Sequence, residues 1–162
     1  MNRVIVLSLL LVCSGFFGSA VAKDPPPQIL GIRLGMSKED ARGRLRKLGS
    51  LEKEARKRQE VWALTDPRIS HLIIGFDPEL HVRYVTAIAR VGSAHINYSE
   101  LAEVKAAQQA INQGNLKFTW EVRAKKGQPA YVVIAHGRDP QYLETYSVKK
   151  VDNKPSLQSE EQ

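Results

Sequence analysis

The sequence contains a single cysteine, Cys13, among 162 residues. One cysteine cannot close a disulfide within the chain, and it cannot supply the several thiolates of a structural zinc site. Aromatic residues are also scarce at 7%, and the charged residues, 25% of the total, form no long acidic block. These figures exclude a disulfide-rich scaffold and a wholly disordered chain, and they are typical of one globular domain.

Residues 1–22 have the features of a secretory signal peptide. Arg3 precedes an apolar run that is shorter than the ~20 residues a membrane span requires, and the segment ends in Ala20-Val21-Ala22. Signal peptidase needs small side chains at its cleavage site, so we predict cleavage after Ala22 and a periplasmic or secreted protein. Acylation of Cys13 is the alternative, although Val12 occupies a position that lipoprotein signals fill with a small residue.

The rest of the chain predicts the same order of elements twice, which indicates an α+β fold with helices packed on one face of an antiparallel sheet. The predicted segments are the signal peptide (1–22), an extended proline-containing leader (23–31), two tandem units of one helix and three strands (32–91 and 92–151) and a disordered tail (152–162). The two units share negligible sequence identity, so a true duplication and a chance resemblance both stay open.

The first helix has the clearest signals. Ser37 can cap it by accepting from the Asp40 amide, Ala41 and Leu45 lie on one face, and Gly49 can end it. The acid-first spacing of four between glutamates and arginines predicts a further helical segment over residues 50–58.

In the second unit, Ser99 predicts a helix start, with an apolar stripe to Ile111 and a stop at Gly114. Alternating apolar residues and turn residues predict the strands. The predicted strands are 60–66, 69–76, 82–91, 116–123, 131–136 and 142–149.

One stretch carries a family resemblance. The pattern Ile32-x-Leu34-Gly35-Met36-Ser37-x-x-Asp40, with Leu48-Gly49 and Leu72-x-Ile74-x-Phe76-Asp77, resembles the BamE-like (SmpA/OmlA) exported bacterial proteins over residues 29–91. The resemblance implies the helix-plus-sheet fold that this family shares with the β-lactamase-inhibitor-protein-like group. It also implies a non-enzymatic role in the envelope, through outer-membrane assembly or through binding an enzyme.

Chemical motifs are few. The four histidines form no His-Glu-x-x-His pattern, and no nucleophile elbow, P-loop or dinucleotide fingerprint is present. We therefore predict no catalytic residue, no metal and no cofactor. Carboxylates in strands and turns could still pair across the sheet, which keeps a small hydrolase as an alternative. These carboxylates are Glu60, Asp66, Asp77, Glu79 and Glu121.

The net charge of +7 has one main source. Residues 42–58 contain eight basic and two acidic side chains, a balance of +6, whereas the rest of the predicted mature chain has 15 of each sign. The eight basic residues are Arg42, Arg44, Arg46, Lys47, Lys53, Arg56, Lys57 and Arg58. They can form an ordinary solvated surface, or an electrostatic patch for lipopolysaccharide, acidic lipid headgroups or an acidic protein.

The sequence thus predicts an exported envelope protein that binds a protein or an anionic surface and is not an enzyme. A secreted enzyme inhibitor that binds through an exposed sheet face between the two units is the first alternative. Nucleic acid is not an expected partner, because the patch lacks interleaved aromatics and the protein is predicted to be exported. We also expect no transmembrane span in the mature chain, and the sequence leaves the oligomeric state open.

Overall fold

A computed structural model describes residues 24–55, 58–92 and 95–151. The fold is mostly β, with 52% strand and 12% helix, so the predicted α+β fold with helices packed on one face of the sheet is wrong. The physical reason is the length of the helices. One has eight residues and the other has four, so they cannot form a layer across an eight-stranded sheet.

The described residues form ten strands, two α-helices and a 3-10 turn. They are β1 (Gln28–Ile29), β2 (Ile32–Arg33), α1 (Lys38–Leu45), β3 (Gly49–Ala55), β4 (Gln59–Leu64), β5 (Ile69–Phe76), β6 (Val82–Ala89), α2 (Tyr98–Leu101), the 3-10 turn (Val104–Ala106), β7 (Gln108–Asn112), β8 (Asn115–Val122), β9 (Tyr131–Gly137) and β10 (Thr145–Lys150). The strands β1 and β2 form a separate hairpin, while the others form one antiparallel sheet in the order β3-β4-β5-β6-β10-β9-β8-β7.

The sheet consists of two four-stranded meanders that lie side by side. The strands β3 to β6 form one meander, β7 to β10 form the other, and β6 pairs with β10 in the middle. Val148 lies opposite Val85 at this junction. Because each meander joins through its last strand, the first strands, β3 and β7, form the two edges of the sheet.

A helical segment is predicted over residues 50–58, but its residues 50–55 belong to the edge strand β3. The i,i+4 spacing of glutamate and arginine was misleading, because Glu52 and Glu54 pair with side chains of other elements. Glu54 contacts Lys38 at 2.7 Å and Arg42 at 3.3 Å, and Glu52 lies 3.4 Å from His71. These tertiary partners replace the weak i,i+4 pairs that a helix would offer.

The helix predicted from Ser99 to Ile111 is also wrong beyond its first turn. The chain forms α2, the short 3-10 turn and then β7. The reason lies in the next two residues, because Gln113 and Gly114 both have positive φ, at 49° and 78°. That is a two-residue type I′ turn, which reverses the chain into a hairpin with β8.

The predicted capping of α1 by Ser37 is confirmed. The Asp40 amide donates to Ser37 Oγ at 3.1 Å, and the Ser37 hydroxyl donates to the Asp40 carboxylate at 2.8 Å. Ala41 and Leu45 are buried as expected, but the helix ends at Leu45, and Gly49 begins β3.

All the large buried side chains of the sheet lie on one of its faces, which we call the covered face. They pack with α1, the β1–β2 hairpin and residues around α2 in a single hydrophobic core. The strand residues of this core are Trp62, Leu64, Ile69, Leu72, Ile74, Phe76, Val82, Val85, Ala87, Phe118, Trp120, Val122, Tyr131, Val133, Ala135 and Val148. The leader is fixed to the core as well, because the Tyr131 hydroxyl donates to the Pro25 carbonyl.

Gly49 and Gly43 provide a paired test of this packing. A Cβ on Gly49 would lie 1.9 Å from the Ala63 carbonyl oxygen, whereas a Cβ on Gly43 in α1 would meet nothing within 4 Å. We expect Gly49→Ala to lower the free energy of unfolding by about 1 to 3 kcal/mol through overpacking. Gly43→Ala should raise it by about 1 kcal/mol through helix propensity. Urea denaturation measures both, and equal values for the two variants would contradict the described start of β3.

Candidate functional site

The predicted basic patch does not form a single surface. Arg42, its first member, is bound into an ion-pair network, with its guanidinium 2.6 Å from Glu60 and 3.3 Å from Glu54. The hydrogen bond to Glu60 is the main cause that raises the pKa of Arg42. This side chain is therefore part of the fold rather than available to a ligand.

Glu60 is the centre of that network. It is the one charged residue among the described residues that is fully buried, at 0% exposure. Arg42 Nε donates to its Oε1 at 2.8 Å, Lys38 Nζ lies 3.2 Å away, and the Trp62 indole donates to its Oε2 at 2.9 Å. A buried carboxylate is tolerated when both oxygens are engaged by such donors, because the donors replace the lost hydration.

Two members of the predicted patch lie on a different side of α1 from Arg42. Arg44 and Lys47 line a groove of about 1370 Å³ that they share with Arg33, while Arg46 lies with Arg42 at a smaller cavity beside Leu51. Within the described part of the chain, Arg33, Arg44, Arg46 and Lys47 make no ion pair. The groove also contains acidic Glu39 and Asp40, so its charge is mixed.

The last members of the patch lie at or near β3. Lys53 is in this edge strand, and Arg58 is exposed at the turn before β4. Arg56 and Lys57 lie outside the described residues. The helix and the strand therefore spread the placed members of the patch over several surfaces.

The second face of the sheet, which we call the open face, is the largest feature that sequence reasoning did not resolve. No described helix or loop contributes to a core on it. Its side chains form three rows across the strands. The rows are Ser50, Ala63, His71, Ile88, Thr145, His136, Lys117 and Ala110; Lys53, Val61, Ile73, Thr86, Ser147, Ile134, Thr119 and Gln108; and Ala55, Gln59, Gly75, Tyr84, Lys149, Val132 and Glu121.

Apolar side chains on the open face are partly accessible to solvent. Val61, Ile73, Ile88, Val132 and Ile134 are all half-buried, because neighbours on the same face shield their sides. The face is therefore apolar along its centre without being part of the core.

Polar contacts order some side chains of the open face. Thr86 and Ser147 share a hydrogen bond of 2.8 Å across the junction of the two meanders. The Tyr84 ring lies over Gly75, where a Cβ would come within 1.9 Å of it, and its hydroxyl donates to Gln59 at 3.0 Å. These contacts fix the side chains of Thr86, Ser147 and Tyr84 on the open face.

Basic residues interrupt this surface. Lys117 lies opposite His136 on β8, and Lys149 lies further along the neighbouring strand β10. Partial burial, together with the charges of these two lysines, lowers the pKa of His136. Glu121 is the acidic residue of the same part of the face. The centre of the open face is therefore apolar, with cations beside it.

Three of the candidate catalytic carboxylates have structural partners, Glu60 in the network with Arg42 and two others in turns. Asp66 accepts from the amides of Arg68 and Ile69, and Asp77 accepts from the amides of Glu79 and His81, so both stabilise turns. Asp77, Glu79 and His81 also have ligand-type atoms within 4.8 Å of one another, but they lie at the surface and the Asp77 oxygen already serves two amides.

Comparison with known proteins found no match to any protein-family model, to any characterised protein or to any solved structure. The resemblance of residues 29–91 to BamE-like proteins thus stays a prediction. Among the described residues, no helix is long and apolar enough to cross a membrane. The predicted signal peptide and its cleavage site lie outside the described residues.

One sequence signal could have revealed the open face. Strands that alternate strictly have one apolar face, but Ile73-Ile74 and Val132-Val133-Ile134 are continuous apolar runs. Such runs place apolar side chains on both faces of a sheet. No such sequence pattern predicts the burial of Glu60, because that burial depends on Arg42 and Lys38 from α1.

Substitutions at Glu60 and Glu54 test the buried network. Glu60→Gln removes the charge from the buried site and leaves Arg42 without its main partner, so we expect a loss of about 3 kcal/mol in the free energy of unfolding. Glu54→Gln, at a side chain that is 39% exposed, should cost much less than Glu60→Gln, because water screens a surface ion pair. Chemical denaturation of both variants measures this, and an equal loss would show that Glu60 is not the central partner.

Acid sensitivity provides a test of the cluster around His136. Because its pKa is lowered in the folded protein, the unfolded chain binds more protons below about pH 6.5. Stability should therefore fall as the pH drops from about 6.5 to the folded-state pKa, and then level off. His136→Asn should remove this part of the acid sensitivity in thermal melts, while His95→Asn, a surface control, should retain it. An unchanged pH profile of stability for His136→Asn would contradict the effect.

Proposed function

We propose that this chain is an exported binding protein without catalytic activity, and that the open face binds a partner protein. The observation that carries the proposal is that one complete face of an eight-stranded sheet has half-buried apolar side chains and no described element over it. Enzyme inhibition, the alternative from the sequence, is one form that such binding can take.

The dimensions of the open face support this proposal. Eight strands at ~4.8 Å spacing give a width of about 34 Å, and three rows of side chains cover roughly 18 Å along the strands. The resulting area of about 600 Å² approaches the ~800 Å² that each partner contributes to a standard protein interface. A surface of this size fits a folded protein better than a small ligand.

The chemistry of the open face favours a particular kind of partner. Its apolar centre, with Ile73 and Ile134 in one row, calls for apolar contact residues. Lys117 and Lys149 on the same face would complement carboxylates at the rim of the partner's surface. We therefore propose a partner protein with an apolar contact surface and acidic residues around it.

The positions of the predicted patch residues in the structure favour binding of a protein over binding of a flat anionic surface. Arg42 is engaged by Glu60, and the remaining placed cations of residues 42–58 point to different sides of α1 and β3. A lipid surface attracts a protein through cations that face one direction together. The open face instead combines apolar area with charge, as protein interfaces do.

A photo-crosslinking side chain at position 134 tests the location of the partner. In the native host, we expect it to give an adduct with one protein, because Ile134 lies near the centre of the open face. The same side chain at position 91, where Val91 is 99% exposed outside the sheet, should give no such adduct. Lys149→Glu should lower the yield of the adduct at least about fivefold, through repulsion of the partner's carboxylates.

The partner recovered in this way is then purified for a binding measurement. We expect Ile134→Glu to weaken its affinity about thirtyfold, equivalent to the ~2 kcal/mol of a buried interface residue, and Val91→Glu to leave it unchanged. Circular dichroism confirms that both variants fold. The proposal fails if both variants bind equally, or if the wild-type protein sediments with phosphatidylglycerol vesicles in a way that Ile134→Glu does not affect.

A further inference from the structure

The two edges of the eight-stranded sheet differ in how they are protected. The outer edge of β3 has the charged sequence Glu52-Lys53-Glu54, and its register with β4 shifts between Leu51 and Lys53. Charged side chains and bulges on an edge strand are the usual devices that prevent another strand from pairing with it. This edge is therefore blocked against strand addition.

The opposite edge, β7, has none of these devices. Its sequence is Gln108-Gln109-Ala110-Ile111-Asn112, which contains no charge and no proline. All five residues are exposed, Ile111 at 70%, and their register with β8 is regular. No described strand pairs with the outer edge of β7. An exposed strand of this kind is a template for strand pairing.

The hairpin geometry determines which backbone groups of β7 face outward. Asn112 and Asn115 close a two-residue type I′ turn, so they exchange both backbone hydrogen bonds. Bonded and non-bonded pairs alternate along an antiparallel ladder. The N–H and C=O groups of Gln109 and Ile111 therefore point away from β8, towards the free edge.

We propose that β7 pairs antiparallel with β7 of a second copy of this chain, about a two-fold axis at Ala110. In this register, Gln109 of each copy lies opposite Ile111 of the other, and these pairs exchange four backbone hydrogen bonds. The two Ala110 residues meet in a non-bonded pair, where Cα atoms approach to ~4.5 Å and small side chains fit best. Gln108 lies opposite Asn112, so two amide side chains can meet.

A second copy suits this edge better than a different strand because the pairing is self-complementary. Every pair in the register joins uncharged residues, so no like charges face each other across the axis. The nearest cation, Lys117, lies opposite Ala110 on β8. Across the axis the two Lys117 residues are three strand spacings apart, about 14 Å, which exceeds the ~8 Å screening length at physiological salt.

Pairing of only five residues from each copy predicts a weak dimer. Its interface is smaller than the ~1,000 Å² expected of stable complexes, so we expect association only at high concentration. Dimerisation would join two sheets into one of sixteen strands. It uses the edge rather than the open face, so it does not depend on the proposed partner.

Sedimentation equilibrium, from low micromolar to near-millimolar protein, tests the dimer. We expect reversible dimers for the full-length chain, and loss of association in Ala110→Lys, which places two ammonium groups face to face. Ser50→Lys, the matched change at an exposed position of the opposite edge strand β3, should leave the dimer intact, as should Ile134→Glu. A wild-type chain that stays monomeric at every concentration overturns the proposal, and so does loss of association in Ser50→Lys.

Cysteine crosslinking tests the register. In a Cys13→Ser background, Ala110→Cys should form a disulfide dimer under mild oxidation, because a non-bonded pair has the Cα separation that a disulfide needs. Gln108→Cys should give at least about tenfold less disulfide dimer. The Cα atoms of its two copies would lie about 14 Å apart, well beyond the ~7 Å that a disulfide can bridge. Equal crosslinking at both positions, or none at position 110, would contradict the two-fold axis at Ala110.

Discussion

The pairing of β6 with β10 is the interaction on which the architecture depends. It joins two meanders that are far apart in sequence into one antiparallel sheet, with Val148 opposite Val85 on the covered face and Ser147 bonded to Thr86 on the open face. Without this ladder, β6 and β10 would each be an unpaired edge of its meander. With it, the edges of the sheet among the described strands are β3 and β7, and both faces run continuously across eight strands.

Glu60 determines where the basic side chains of α1 lie. A fully buried carboxylate needs donors, and α1 supplies them by turning Lys38 and Arg42 inwards, towards β4. The capped start of α1 at Ser37 fixes the phase of the helix, so Arg44 and Lys47 must then lie on a different side. The basic residues of 42–58 are therefore close together in the sequence, but the helix places their side chains on different surfaces of the fold.

The sequence predicted the strands better than the helices. The bounds of β5 are as predicted and those of β9 differ by one residue, because apolar runs between turn residues have few other ways to be buried. The segments 50–58 and 99–111 misled because helix propensity and i,i+4 charge pairs contribute only tenths of a kcal/mol each. Strand pairing with β4 and β8 outweighs such small terms.

For the candidate site, the sequence identified basic residues but could not group them in space. Arg42 is separated from Arg44 by a partner, Glu60, that lies eighteen residues away from it and shows no local signal. The open face was likewise hidden, because its rows combine side chains from all eight strands and depend on strand order. The continuous apolar runs Ile73-Ile74 and Val132-Val133-Ile134 were the sequence signals that both faces of a strand are apolar.

The open face also has to remain soluble before it meets a partner. Its apolar side chains are the compact Val and Ile, interrupted by Thr86, Ser147 and Thr119 in the same row. Each of the three rows also contains a lysine: Lys117, Lys53 and Lys149 respectively. Such spacing keeps any continuous apolar patch small, and desolvating an isolated lysine is costly without an anionic partner. The lysines that hinder non-specific association would therefore select a partner with carboxylates at matching positions. Specificity arises in this way when the cost of burying a lysine against a wrong partner is combined with its attraction to the right one.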